Sequence, residues 1–115
     1  MLEKTNRLQK ERDFRSVFKL SKPVYSGRLA IRAANLKFNS SRFGFVISNK
    51  IEKRATRRNS IKRKLRAAAR EILPKMQGKF SIVVIVVQPY EFPFDFALIK
   101  RDLESGLLKA KVINA

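Results

Sequence analysis

Hydrophobic positions along this chain change their period from one segment to the next, and each period predicts an element. In ERDFRSVFKL, Phe14, Val17 and Phe18 fall at i, i+3 and i+4, so they share one face of a short first helix that ends near Pro23. The ten residues before it are polar and basic and are expected to form an extended basic arm. RLAIRAANLKF, residues 28–38, has the composition of a strand in part, with Arg32 interrupting its apolar pattern. RFGFVIS, residues 42–48, is a clearer strand, because Phe43, Phe45 and Ile47 alternate with Arg42, Gly44 and Ser48. The intervening NSS supplies turn residues, so an antiparallel hairpin is expected between the two.

The period then becomes helical. In KRATRRNSIKRKLRAAAREI, residues 53–72, the side chains of Leu65, Ala68 and Ile72 fall within about 40° of Ile61 at about 100° per residue. Arg58, Lys62, Arg66, Asn59, Arg70 and Arg63 fall between about 60° and 200°, a basic band on one flank. Pro74 disfavours helix at Leu73 and sets the end. KFSIVVIVVQP is continuous in β-branched residues and reads as a strand covered on both faces. FDFALIKRDLESGLLKAKV carries Phe96, Ile99, Leu103, Leu107 and Ala110 on one face of a last helix that tolerates Gly106. Helix, strand, strand, helix, strand, helix in 115 residues predicts one α+β domain over residues 1–115, a single sheet with helices packed on it in a two-layer sandwich.

Charge narrows what such a domain does. Lys plus Arg number 27 against 9 Asp plus Glu, a formal net charge of +18. Self-repulsion on that scale destabilises a compact chain and is relieved by a polyanion, nucleic acid first and an anionic membrane second. Cysteine and histidine are both absent, which removes thiol chemistry, zinc–thiolate sites and the usual general base near neutral pH. A conventional protein-based active site is not expected. The charged N-terminus offers no signal-peptide core, and the aliphatic run IVVIVV is far short of the ~20 residues of a membrane helix. The expectation is a soluble, cytoplasmic protein with no membrane partner and no small-molecule substrate.

An ordinary exposed helix mixes Glu with Lys, but residues 50–70 hold ten bases and one acid, Glu52. That imbalance favours an RNA or DNA partner over an idle charged surface. A helix-turn-helix reader fits poorly, because a strand precedes the helix and the helix lacks varied polar side chains. A membrane-active helix fits poorly too, since the apolar stripe lacks aromatic anchors.

The run SNKIEKRATRRNSIKRKLRAAARE, with Arg58-Asn59, Ile61-Lys62-Arg63 and Arg66, closely resembles the signature of the bacterial ribonuclease P protein subunit. The order of DFRSVFK, SGR, RFGFVISNK, a late strand and a C-terminal helix extends the resemblance over nearly the whole chain. It implies a mixed four-stranded sheet with about three helices and a left-handed βαβ crossover. It also implies that catalysis belongs to an RNA, which uses Mg²⁺ to cut the 5′ leader from precursor tRNA, while the protein binds both RNAs and holds no cofactor of its own. By that resemblance Arg58, Asn59, Lys62, Arg63 and Arg66 contact the catalytic RNA, helped by Lys50, Lys53, Arg54 and Arg57. Phe14 and Phe18 line the cleft for the single-stranded leader. Two positions depart from the family's pattern: Ser60 stands where a third cation is usual, and Ala33 or Ala34 where some relatives carry an aromatic ring.

Plainer readings stand beside these. Phe14 and Phe18 also suit a core, and FPFDF at 92–96 suits a staple between the last helix and the sheet. Asp95, Asp102 and Glu104 show no metal-binding pattern and are assigned to the solvent face. A structural RNA-binding module, such as a small ribosomal protein, is the alternative function.

Overall fold

The computed structural model describes residues 3–36 and 38–113. Its four strands are β1 (Val24–Ser26), β2 (Leu29–Ala34), β3 (Arg42–Ile47) and β4 (Ser81–Val86), and its helices are α1 (Glu11–Leu20), α2 (Ala55–Ile72) and α3 (Phe96–Lys109). The sheet order is β1-β2-β4-β3. β4 runs antiparallel to β2 and parallel to β3, so the sheet is mixed, as expected.

The expected hairpin between the second and third strands does not form. β4 lies between them, with Ile31 opposite Val84 on one side and Phe45 opposite Val84 on the other. SIVVIV is apolar on both faces, and the interior of a sheet pairs both of its edges as well as covering both faces. The link across residues 35–41 is also longer than the two to five residues typical of hairpin loops. The strand at 24–26 was not anticipated. It pairs with β2 through a tight turn in which Gly27 has φ 55°, a conformation glycine adopts without strain.

Alternation along the strands divides the core. Leu29 and Ile31 of β2, Phe43 and Ile47 of β3, and Ile82, Val84 and Val86 of β4 pack against α2 and α3. All four residues of the anticipated α2 stripe, Ile61, Leu65, Ala68 and Ile72, are buried there. On the opposite face Ala34 and Val83 meet Val17 of α1 and Leu8. One short helix cannot cover that face, and Val46 of β3 stays exposed on it.

β3 is the sheet edge nearest the N-terminal segment. That segment makes a 3-10 turn at Lys4–Asn6, then bridges to β3 through Arg7 and Phe43, with the Leu8 N–H donating to the Phe43 carbonyl at 2.8 Å. The basic arm is therefore docked along an otherwise open edge; Met1 and Leu2 lie outside the described residues, as does Lys37. α2 ends at Ile72, and Pro74 sits in the 3-10 turn that follows.

α3 approaches the sheet closely at Gly106, where a Cβ would come within 2.2 Å of Ile31 Cδ1. A larger residue there would have to displace the end of the buried Ile31 side chain. One turn earlier Asp102 contradicts its expected solvent position, being 5% exposed. Its Oδ2 accepts from the Tyr90 hydroxyl at 2.8 Å and from the Arg28 N–H at 3.3 Å, and its carbonyl accepts from Ser26 Oγ at 2.9 Å. A carboxylate pays for burial with hydrogen bonds, and here they tie α3 to the β1–β2 turn and to the loop after β4. Asp95 and Glu104 fit the expectation better: Asp95 caps α3 by accepting from the Ala97 N–H, and Glu104 pairs with Lys75 at 2.8 Å. Phe94 and Phe96 pack on the core as a staple would, whereas Phe92 remains 58% exposed.

Candidate RNA-facing surface

Seven of the nine anticipated RNA-binding residues lie on α2 or at its N-cap, and Lys50 and Lys53 lie in the turn that leads into it. Ser48 shapes that turn by accepting at its carbonyl from the Ile51 and Glu52 N–H groups, each at 3.1 Å. Arg54 is the N-cap; no side chain caps the helix and no acid lies in its first turn. The unsatisfied N–H groups and the helix dipole add positive potential where the cations already cluster.

The cations divide by what they touch. Asn59 and Arg63 are exposed and Lys62 and Arg66 are half-buried, yet none of their side chains has a hydrogen-bond or ion-pair partner among the described residues. The same holds for the side chains of Lys50, Lys53, Arg54 and Arg70. Arg58 behaves differently, because its Nη1 donates to the carbonyls of Glu52 at 2.7 Å and Lys53 at 3.0 Å and so closes the turn before the helix. Arg57 lies on the other flank, its guanidinium 3.9 Å from the centroid of the Phe92 ring. Ser60, the missing cation, accepts from Lys64 Nζ at 3.1 Å, so an ammonium reaches that position from one turn further on.

Of the two anticipated cleft aromatics, Phe14 joins the basic surface and Phe18 does not. The Phe14 ring lies on Gly44 of β3, where a Cβ would come within 2.4 Å of Cζ. Phe14, Gly44, Arg7, Gln9 and Phe45 line a cavity of about 210 Å³, and Arg66 of α2 lines it too. The basic band and the aromatic cleft thus meet at the β3 edge. Phe18 is 40% exposed further along α1 and sits beneath Arg32, whose guanidinium lies 4.7 Å from the ring centroid. Arg32 Nη1 donates to the Phe18 carbonyl at 3.2 Å and the Ser21 carbonyl at 2.8 Å, which fixes the end of α1 to β2.

Sequence reasoning missed Arg7 and Gln9 as members of this face and Arg32 as the clamp on the end of α1. Arg32 had left a signal, since a charge interrupting a strand must find partners when the strand is covered.

A sequence model described as Ribonuclease P matches residues 2–111. This chain belongs to the ribonuclease P protein family. The ribonuclease P protein component of Cyanothece sp. is 35% identical over 99% of this chain and 98% of its own length. That of Synechocystis sp. is 32% identical over 98% of this chain and 91% of its own length. Among solved structures, the Staphylococcus aureus RNase P protein superposes with a TM-score of 0.83 at 29% identity, covering 95% of this chain and 98% of that one. The Thermotoga maritima RNase P protein does so with a TM-score of 0.74 at 29% identity, covering 95% and 98%. The α+β fold with three helices and a mixed four-stranded sheet is that of the ribonuclease P proteins, and the chain is a protein component of ribonuclease P. Partnership with the ribonuclease P RNA follows from that membership.

Burial, reinforced by the hydrogen bond to Asp102, pushes the Tyr90 hydroxyl well above the ordinary tyrosine range. The Lys75 ammonium holds the Glu104 carboxyl below its usual value, and the hydrogen bond to Glu71 raises Lys100.

Proposed function

We propose that the outward flank of α2 binds the catalytic RNA while the α1–β3 cleft holds the single-stranded 5′ leader of precursor tRNA. Lys62, Arg63 and Arg66 neutralise phosphates of the catalytic RNA, and Lys50, Lys53 and Arg54 extend the contact at the helix entrance. Asn59 in the middle of the band both donates and accepts, which suits a 2′-hydroxyl or a base edge. Arg58 contributes chiefly by holding the turn that presents Lys53 and Arg54. Phe14 offers a ring to leader bases, and stacking of this kind tolerates varied sequence.

The observation that carries this reading is the shared cavity at the β3 edge, where Phe14 and Arg66 are neighbours. Two RNAs that repel each other are brought together by a cation placed between their sites. Hydrolysis itself is assigned to the RNA, which uses Mg²⁺ to activate water. The α2 surface is cationic, and among the described residues no three acidic groups come together in a cluster that could hold a metal ion. No described helix is long and apolar enough to cross a membrane.

The test is cleavage of a precursor tRNA by a bacterial ribonuclease P RNA at low Mg²⁺, with and without the protein. Cleavage at the mature 5′ end that appears only with protein is the expected result. A folded protein that binds both RNAs and never promotes cleavage by a matched RNA would reduce the reading to that of a general RNA-binding module.

A further inference from the structure

Phe92 is not accounted for by the fold or by the surface just described. Its neighbours Phe94 and Phe96 pack on the core, but the Phe92 ring is 58% exposed, held edge-to-face by Phe94 at 5.3 Å and faced by the Arg57 guanidinium at 3.9 Å. A staple explains the two buried rings and leaves the third without a role. The ring is nonetheless held in one orientation by two neighbours, so little freedom is left to lose when a flat ligand is added.

The position of this ring on α2 indicates the ligand. Going round the helix from Ile61, Asn59 lies at about 160°, Arg63 at about 200°, Ser60 at about 260°, Lys64 at about 300° and Arg57 at about 320°. Between Arg63 and Lys64 the helix presents Thr56, Ala67, Ser60 and, at its far end, Glu71, so the basic band stops there and positive charge resumes at Lys64 and Arg57 beside Phe92. Lys64 brings its ammonium to the Ser60 hydroxyl, the position at which the resemblance to the family implies a cation. Arg57 faces the Phe92 ring and Lys64 Nζ lies 5.9 Å from the centroid of the Phe94 ring, and Glu91 is the one carboxylate in residues 88–94.

We propose that Phe92 and Arg57, with Lys64 beside them, form a stacking platform for an unpaired base of the catalytic RNA, whose phosphate meets Lys64. This rests on the RNA-facing reading of α2 and extends it to the helix's second flank. Phenylalanine and guanidinium both present flat faces to a base, and an ammonium beside them meets the attached phosphate. It gives Ser60 and Lys64 together the work of the absent third cation.

The sequence contains no tryptophan, so Phe92→Trp introduces a single indole at the platform. Titrating a bacterial ribonuclease P RNA into the Phe92→Trp protein should quench the indole emission. The same titration of Tyr25→Trp, at an exposed position on β1, should not. A fully paired RNA duplex should leave Phe92→Trp unquenched as well, and Phe92→Leu should weaken binding of the ribonuclease P RNA roughly 10-fold with its salt dependence unaltered. An unquenched indole on bound RNA, with wild-type affinity for Phe92→Leu, would overturn the platform and leave the basic band standing. RNA affinity indifferent to Lys62→Ala with Arg66→Ala would overturn the RNA-facing reading itself, and the platform with it.

Discussion

Cations on the two sides of α2 are used in opposite ways. Toward α3, Glu71 pairs with Lys100 at 2.9 Å, and Lys75 just beyond the helix pairs with Glu104 at 2.8 Å. Toward the β3 edge, Asn59, Lys62, Arg63 and Arg66 have no such partner among the described residues. Where the protein needs a lysine for its own architecture it supplies a carboxylate, and on the other flank it leaves like charges four residues apart, at a cost of a few tenths of a kcal/mol each. Unpartnered charge on one flank and paired charge on the other is the mark of a surface that awaits a polyanion. The comparison also separates what holds the fold from what binds.

The sharpest way to break that separation is at Asp102. Asp102→Ala removes the acceptor of the buried Tyr90 hydroxyl and the Arg28 N–H, and should lower unfolding free energy by about 2–3 kcal/mol in a urea titration. Its affinity for RNA, measured under conditions where it is folded, should keep the wild-type salt dependence; a changed slope would mean that the two ends are coupled.

A smaller effect is expected at the cleft. Gly44→Ala places a Cβ where the Phe14 ring lies, so the ring must swing out. Preference for precursor over mature tRNA should fall roughly 5- to 10-fold while affinity for the catalytic RNA alone is kept. Equal losses for precursor and mature tRNA would return Phe14 to a purely structural role.

The third effect is one of pH. Tyr90 ionises in the unfolded chain near pH 10, whereas in the folded protein burial and Asp102 hold it neutral well above that. Its contribution to stability is therefore complete below about pH 10 and declines as pH rises further, by about 1 kcal/mol between pH 10 and 11. Tyr90→Phe should lack that component, so the difference between the two stability curves is the quantity to measure; parallel curves would contradict it.

What could be read from the sequence follows the same division. The α2 stripe was legible because Ile61, Leu65, Ala68 and Ile72 repeat at helical spacing and nothing competes with them for the core. The band opposite was legible because ten bases against one acid leaves no local way to pair. Strand pairing was not legible, since the NSS turn signal and period-two alternation are the same whether two strands pair or a third enters between them. Asp102 was misplaced by its charge, although it stands three residues after Ile99 and so near the buried stripe of α3. Within the site, spacing identified which residues face outward but not that Arg58 closes a turn, that Arg57 lies on Phe92, or that Phe14 and Arg66 share a cavity. Those facts depend on where the 48–54 turn, the 88–95 loop and the N-terminal segment cross the sheet.

The central claim is that α2 cations without a carboxylate partner, and not positive charge in general, meet RNA phosphate. The most direct measurement is the affinity for a ribonuclease P RNA against salt concentration for the wild type, for Lys62→Ala/Arg63→Ala/Arg66→Ala and for Lys75→Ala/Lys100→Ala. The triple variant should flatten the plot of log affinity against log salt by roughly 0.7–0.9 for each phosphate no longer neutralised, and the double variant, which removes the paired cations, should run parallel to the wild type. Equal flattening in both variants, or none in the triple variant, would contradict the account.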